Sequence, residues 1–134
     1  MITSLIPGFQ EFYLEGVEHI TPQNALMELL NGTAILVDVR EEAEFKLESI
    51  PLNNVYYFPL SVLTEKLGFL PDDKPIIVIC NAGVRSSKVT AFLKSNGFPE
   101  TSNLDGGIIA WKALGLPVKS DYPADFTCGC SHPG

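Results

Sequence analysis

Two short runs constrain this chain more than anything else in it: Ala34-Ile35-Leu36-Val37-Asp38-Val39 and Pro75-Ile76-Ile77-Val78-Ile79-Cys80. Each is apolar at consecutive positions rather than at every second one, so both faces of the strand must be covered. Strands of that kind lie inside a parallel sheet with helices packed on either side. The groups that can do chemistry, Asp38 and Cys80, fall at the ends of these runs. In an open α/β sheet, the crevice outside the carboxyl ends of the strands is where ligands bind.

The segments around the two runs fit the same architecture. Val17 to Ile20 reads as a first strand, and Thr21-Pro22 supplies an N-cap and an N1 proline for a helix with Ala25, Leu26, Leu29 and Leu30 on one face. Asn31-Gly32 ends that helix. Glu41 to Leu47 reads as a short acidic helix, Val55 to Phe58 as a strand, and Pro59 to Leu67 as a further helix. Ser86 to Asn96 reads as a helix with Val89, Phe92 and Leu93 inward and Gly97 as its terminator. The fold class expected is α/β, an open, mostly parallel central sheet with helices on both faces. A chain of 134 residues, 46% of them hydrophobic, closes one core more readily than two. The expected division is an arm over 1–16 with no clear period, one domain over 17–119, and a Cys-containing tail over 120–134.

Charge and cysteine count narrow the function classes. A net charge of -7 leaves no basic stripe for a phosphate backbone or an anionic membrane surface, so neither nucleic acid nor membrane is an expected partner. Pro7 interrupts the N-terminus before an apolar stretch of leader length forms, and three cysteines do not make a disulfide framework. The expected setting is a reducing compartment, the cytoplasm.

The most informative stretch is Cys80-Asn81-Ala82-Gly83-Val84-Arg85-Ser86. A thiol that closes a buried strand faces a loop whose backbone N–H groups lead into a helix N-terminus, and such a loop cradles anions. The helix end and the Arg85 charge favour the thiolate, and the same cradle holds a persulfide anion. Gly83 permits positive φ or a close approach, and Ser86 can donate a hydroxyl hydrogen bond or cap the helix. A cysteine at this place can also be a small buried hydrophobe, but Gly83, Arg85 and Ser86 at these offsets favour a reactive site.

Over residues 17–118 the chain resembles the rhodanese family. Leu36-Val37-Asp38-Val39-Arg40-Glu41 with Glu44-Phe45, the loop from Cys80 to Arg85, Leu104-Asp105-Gly106-Gly107-Ile108-Ile109-Ala110-Trp111 and Gly115-Leu116-Pro117-Val118 carry the likeness. Glu48-Ser49-Ile50-Pro51 departs from the Gly-His-Ile-Pro usual in the family. The resemblance implies a double displacement in which Cys80 takes a sulfane sulfur from a small donor such as thiosulfate. Cys80 then passes it to cyanide or a thiol, with no cofactor and no metal. It implies catalytic roles for Cys80 and Arg85, substrate contacts from Asn81, Ala82, Gly83, Val84 and Ser86, and support from Asp38 and Arg40, which also read as a strand-end ion pair. Trp111, beside Ile108, reads as core, and His19 and His132 have no partner that the sequence identifies.

Two rivals share these residues. Cysteine-dependent phosphatases place five residues between Cys and Arg, whereas four stand here, and the smaller ring suits a single sulfur better than a tetrahedral phosphate. The other rival is a persulfide carrier that delivers sulfur to a protein partner. In that reading Cys128 or Cys130 of the tail attacks the persulfide by thiol exchange. As metal ligands, Cys128, Cys130 and His132 are one short of a closed zinc site.

Overall fold

The computed structural model describes residues 1–121, so Cys128, Cys130 and His132 lie outside the described residues. In chain order the elements are β1 (His19–Ile20), α1 (Pro22–Leu30), β2 (Ile35–Asp38), α2 (Glu42–Leu47), β3 (Glu48–Ser49) and β4 (Val55–Tyr57). After two 3-10 turns at Leu60–Val62 and Leu67–Phe69 come β5 (Ile76–Ile79), α3 (Val84–Lys94), β6 (Thr101–Leu104), α4 (Gly107–Ala113) and β7 (Lys119–Ser120). The main sheet runs β1-β6-β5-β2-β4, parallel at every pairing, and β3 pairs antiparallel with β7 beside it.

The two apolar runs are the sheet's centre, as their composition demands. Their alternate residues feed two cores. Leu36, Ile77 and Ile79 join Ala25 and Leu29 of α1 and Ile108 and Trp111 of α4 on one face. Ile35, Val37, Val78 and Cys80 join Val89 and Leu93 of α3 on the other. This period of two is what aims Cys80 at α3. Trp111 is fully buried as expected, and its Nε1 donates to the Pro117 carbonyl at 2.8 Å.

Several local expectations are corrected. Leu30 is 66% exposed, because α1 ends there and its buried stripe consists of Pro22, Ala25 and Leu29. Pro59 to Leu67 forms 3-10 turns rather than one helix: the Leu60 N–H is spent on the Val39 carbonyl, and the chain stays tied to the sheet edge. The helix after the loop begins at Val84, two residues before Ser86, with Gly83 as a left-handed N-cap at φ 97°. The first strand is confined to His19–Ile20, and Val17 is buried just outside it.

Candidate active site

The β5 strand delivers Cys80 to the first turn of α3, where the residue is buried and its Sγ receives the N–H groups of Gly83 at 3.2 Å and Ser86 at 3.3 Å. The Ser86 Oγ lies 3.2 Å away. Two backbone donors and the positive end of an 11-residue helix thus converge on one sulfur.

The loop holds this shape because its carbonyls are occupied from behind. The first N–H groups of α4 bind them: Ile108 donates to the Cys80 carbonyl at 2.9 Å and Ile109 to the Asn81 carbonyl at 3.1 Å. That contact needs a glycine at 107, where φ is 63° and a Cβ would collide with the Cys80 and Asn81 main chain. With the carbonyls turned toward α4, the N–H groups are left for the sulfur.

Arg85 does not offer an unopposed charge to the loop. Its Nη1 and Nη2 donate to the two carboxylate oxygens of Glu44, each at 2.9 Å. The Arg85 hydrogen bonds hold the Glu44 carboxyl down to about 2, so the pair stays ionised through neutral pH, and Glu44 in turn keeps the guanidinium protonated. Glu44 also accepts from Asn81 Nδ2 at 2.6 Å, which joins α2 to the loop at two points.

Asp38 and Arg40 form a buried ion pair at 2.9 Å, with side chains 4% and 2% exposed. Arg40 Nη2 also donates to the Glu48 carbonyl at 2.6 Å, while Nη1 reaches the Asn81 Oδ1 at 3.5 Å. The pair therefore touches the loop through Asn81 and fastens α2 and β3 to the sheet. Ala82 and Val84 line the exposed rim of the loop. Beside it opens a groove of about 330 Å³ between Leu60, Leu63 and Thr64 on one wall and Arg85, Lys88, Val89 and Phe92 of α3 on the other.

Sequence reasoning missed Glu44 as the partner of Arg85, and it missed Gln10, Asn103 and His19. Ser86 Oγ meets Asn103 Oδ1, and Asn103 Nδ2 meets Gln10 Oε1 and His19 Nδ1, each at 3.0 Å. Gln10 carried no signal because the stretch around it has no period, and Asn103 sits in a strand of polar residues.

The rhodanese-like domain matches residues 22–114. The chain is 34% identical over 84 residues to a sulfurtransferase of Allochromatium vinosum, covering 63% of this chain and 77% of that one. It is 28% identical over 102 residues to the thiosulfate sulfurtransferase GlpE of Vibrio cholerae, covering 76% and 94%. A rhodanese-related protein of Thermoplasma volcanium superimposes with a TM-score of 0.69 at 32% identity, covering 77% of this chain and 98% of that one. On the matched span, which takes in both apolar strands, the Cys80 loop and α4, this chain belongs to the rhodanese-like domain family.

Proposed function

We propose that the protein is a sulfurtransferase working through a persulfide on Cys80. The observation that carries this reading is the sulfur itself: Cys80 Sγ stands at the carboxyl end of β5 and accepts two backbone N–H groups at the start of α3. The sulfurtransferase names of the relatives point the same way. With thiosulfate as donor, the Cys80 thiolate attacks the sulfane sulfur, the S–S bond breaks, and sulfite leaves with its electron pair. The outer sulfur of the resulting persulfide carries the negative charge, where loop N–H groups and the α3 N-terminus stabilise it. An acceptor thiolate or cyanide then attacks that outer sulfur and Cys80 departs as thiolate. The groove beside Arg85 gives room for an acceptor larger than cyanide. A reducing compartment such as the cytoplasm suits a free thiol of this kind.

A second reading, a carrier that hands its sulfur to a protein partner, is supported by the two further thiols that the sequence holds at Cys128 and Cys130. The Asp121 N–H donates to the Leu47 carbonyl at 2.8 Å, at the end of the helix whose Glu44 grips Arg85 and Asn81. Cys128 is the seventh residue beyond it, and seven residues span up to roughly 24 Å. In this reading Cys128 or Cys130 attacks the outer sulfur of the persulfide, Cys80 leaves as thiolate, and the sulfur passes on to a protein acceptor by thiol exchange.

One experiment tests both readings. The purified protein is treated with thiosulfate or glutathione persulfide, examined by intact mass for a gain of one sulfur, and assayed for transfer to cyanide and to thiols. Cys80→Ser should gain no sulfur and transfer none. A wild-type protein that gains no sulfur from any donor overturns the proposal. Unchanged delivery to thiols after replacing both Cys128 and Cys130 by Ser overturns the relay alone.

A further inference from the structure

We propose that Gln10, from the N-terminal segment, is a positioning residue that fixes which way the Ser86 hydroxyl points and thereby restrains the Cys80 thiol until sulfur arrives. The inference rests on Cys80 being the nucleophile and adds a residue that neither the family match nor the loop motif indicates.

The argument follows single protons. The Gln10 amide can face only one way: its Oε1 accepts from the Gly106 N–H at 2.8 Å, and its Nε2 donates to the carbonyls of Phe12 at 3.0 Å and Gly83 at 3.3 Å. Main-chain donors and acceptors leave no choice of flip. Because Gln10 Oε1 is an acceptor, the Asn103 atom 3.0 Å from it must be the donor Nδ2. The second Nδ2 proton goes to His19 Nδ1, at 3.0 Å, which sits opposite Asn103 in the β1–β6 register. Asn103 Oδ1 is thereby turned to Ser86, and an amide oxygen only accepts, so Ser86 must give it its one hydroxyl proton. Ser86 then has no proton for Cys80. At the 3.2 Å contact between Ser86 Oγ and Cys80 Sγ, the thiol is the donor and the hydroxyl the acceptor.

Four side chains thus translate the fixed amide of Gln10 into a hydroxyl lone pair aimed at the sulfur. A bare thiolate at Sγ faces that lone pair. To receive the hydroxyl proton instead, it must strip the hydrogen bond from Asn103 Oδ1, which is fully buried and would be left without a donor. A persulfide has no such conflict, because its charge lies on the outer sulfur rather than on Sγ. The packing of Gln10 on the loop is close: a Cβ at Gly83, where φ is 97°, would overlap the Gln10 amide.

Removing the amide frees Asn103 to turn once His19 carries its proton at Nδ1 instead of the unpartnered Nε2, so that Nδ2 faces Ser86 Oγ and the hydroxyl proton moves to the sulfur. The test is the rate of Cys80 alkylation by iodoacetamide at pH 7, with no sulfur donor present, in the full-length chain. Gln10→Leu should react about tenfold faster than wild type, the change expected for one hydrogen bond gained by the reacting anion. Gln10→Met, which keeps the side-chain length, should do the same and serves if the leucine variant does not fold. In a Ser86→Ala background, either substitution should leave the rate unchanged within about twofold, because the hydroxyl that transmits the effect is gone. Acceleration that survives in Ser86→Ala would mean that Gln10 merely covers the sulfur, and no acceleration in either variant would mean that it does nothing to Ser86. Both results overturn the inference. Failure of Cys80 to take up sulfur would overturn the transferase reading instead, and the alkylation rates do not depend on it.

Discussion

The bidentate pair between Arg85 and Glu44 decides how much of the arginine's charge an incoming anion meets. Their side chains are 34% and 29% exposed, so water screens the pair and its contribution to stability is small, about 1 kcal/mol or less. In the proposed transfer its effect on an anionic donor is larger, because the carboxylate is bonded to both the guanidinium and Asn81 of the loop. Glu44→Gln keeps an oxygen for Arg85 while removing the negative charge. The KM for thiosulfate should fall about fivefold, equivalent to about 1 kcal/mol for one charge acting across the loop mouth. The kcat should stay within about twofold, and the gain should shrink as salt is raised. Arg85→Lys acts in the opposite direction, since an ammonium cannot hold the fork and the loop loses its tie to α2. Initial rates against thiosulfate at low and high ionic strength decide this. A KM that rises in Glu44→Gln would mean that the carboxylate's chief effect is to hold Arg85 in place. None of this pairing was readable in the chain, where Glu44 and Arg85 are separated by 41 positions and only the arginine stands in a recognisable loop.

Among the elements, α4 does for the loop what no residue within the loop can do. Its first turn takes the carbonyls of Cys80 and Asn81, and Gly107 is the point at which the two segments touch. Gly107→Ala carries two costs: positive φ for a residue with a Cβ, about 1 kcal/mol, and crowding against main chain that cannot step aside, about 1–3 kcal/mol more. Gly97→Ala is the matched control, since φ there is also positive, at 97°, but a Cβ would meet nothing within 4 Å. Thermal melting should place Gly107→Ala about 10 °C below wild type and Gly97→Ala about 4 °C below. Cys80 alkylation should change only in Gly107→Ala, and equal effects at both sites would show that α4 does not hold the loop. The same elements mark what sequence could disclose. Consecutive apolar positions announced β2 and β5 because burial on both faces leaves that signature whatever the rest of the fold. β6 left no such mark: Thr101, Ser102 and Asn103 are polar yet buried, and for Asn103 the reason lies in His19 and Ser86, partners that only the folded chain assembles. β3 and β7 are two residues each and exist through their mutual pairing, so neither has a period to detect.

For the molecule as a whole, acid meets three groups among the described residues whose folded forms resist protonation. Of these, the Glu42 pair with Lys46 is fully exposed and screened by water, which leaves His19 and Glu44. Burial lowers the His19 pKa below its ordinary 6.5, against a smaller opposing pull from Asp105. The imidazole also accepts a hydrogen bond from Asn103 Nδ2 at Nδ1, so protonating it there would set two N–H groups face to face. Below pH 6.5 the unfolded chain binds a proton that the folded chain declines, so stability should fall as pH drops through that window. Glu44 has the same sign lower down: its carboxyl is held from 4.5 to about 2, so its contribution is complete above 4.5 and is lost between there and about 2. Relief of self-repulsion runs the other way, because a chain of charge -7 becomes less negative as acid is added. A wild-type titration alone therefore mixes opposing slopes, and the variants separate them. Urea unfolding from pH 7.5 to 3 should show His19→Gln gaining on wild type as the pH falls below 6.5, while Glu44→Gln runs parallel to wild type there and gains only below 4.5. Parallel curves for His19→Gln across the upper window would mean that His19 takes up its proton in the folded state. The Asn103 amide would then have to turn about in acid, and the hydrogen-bonded path from Gln10 to Ser86 would break at Asn103.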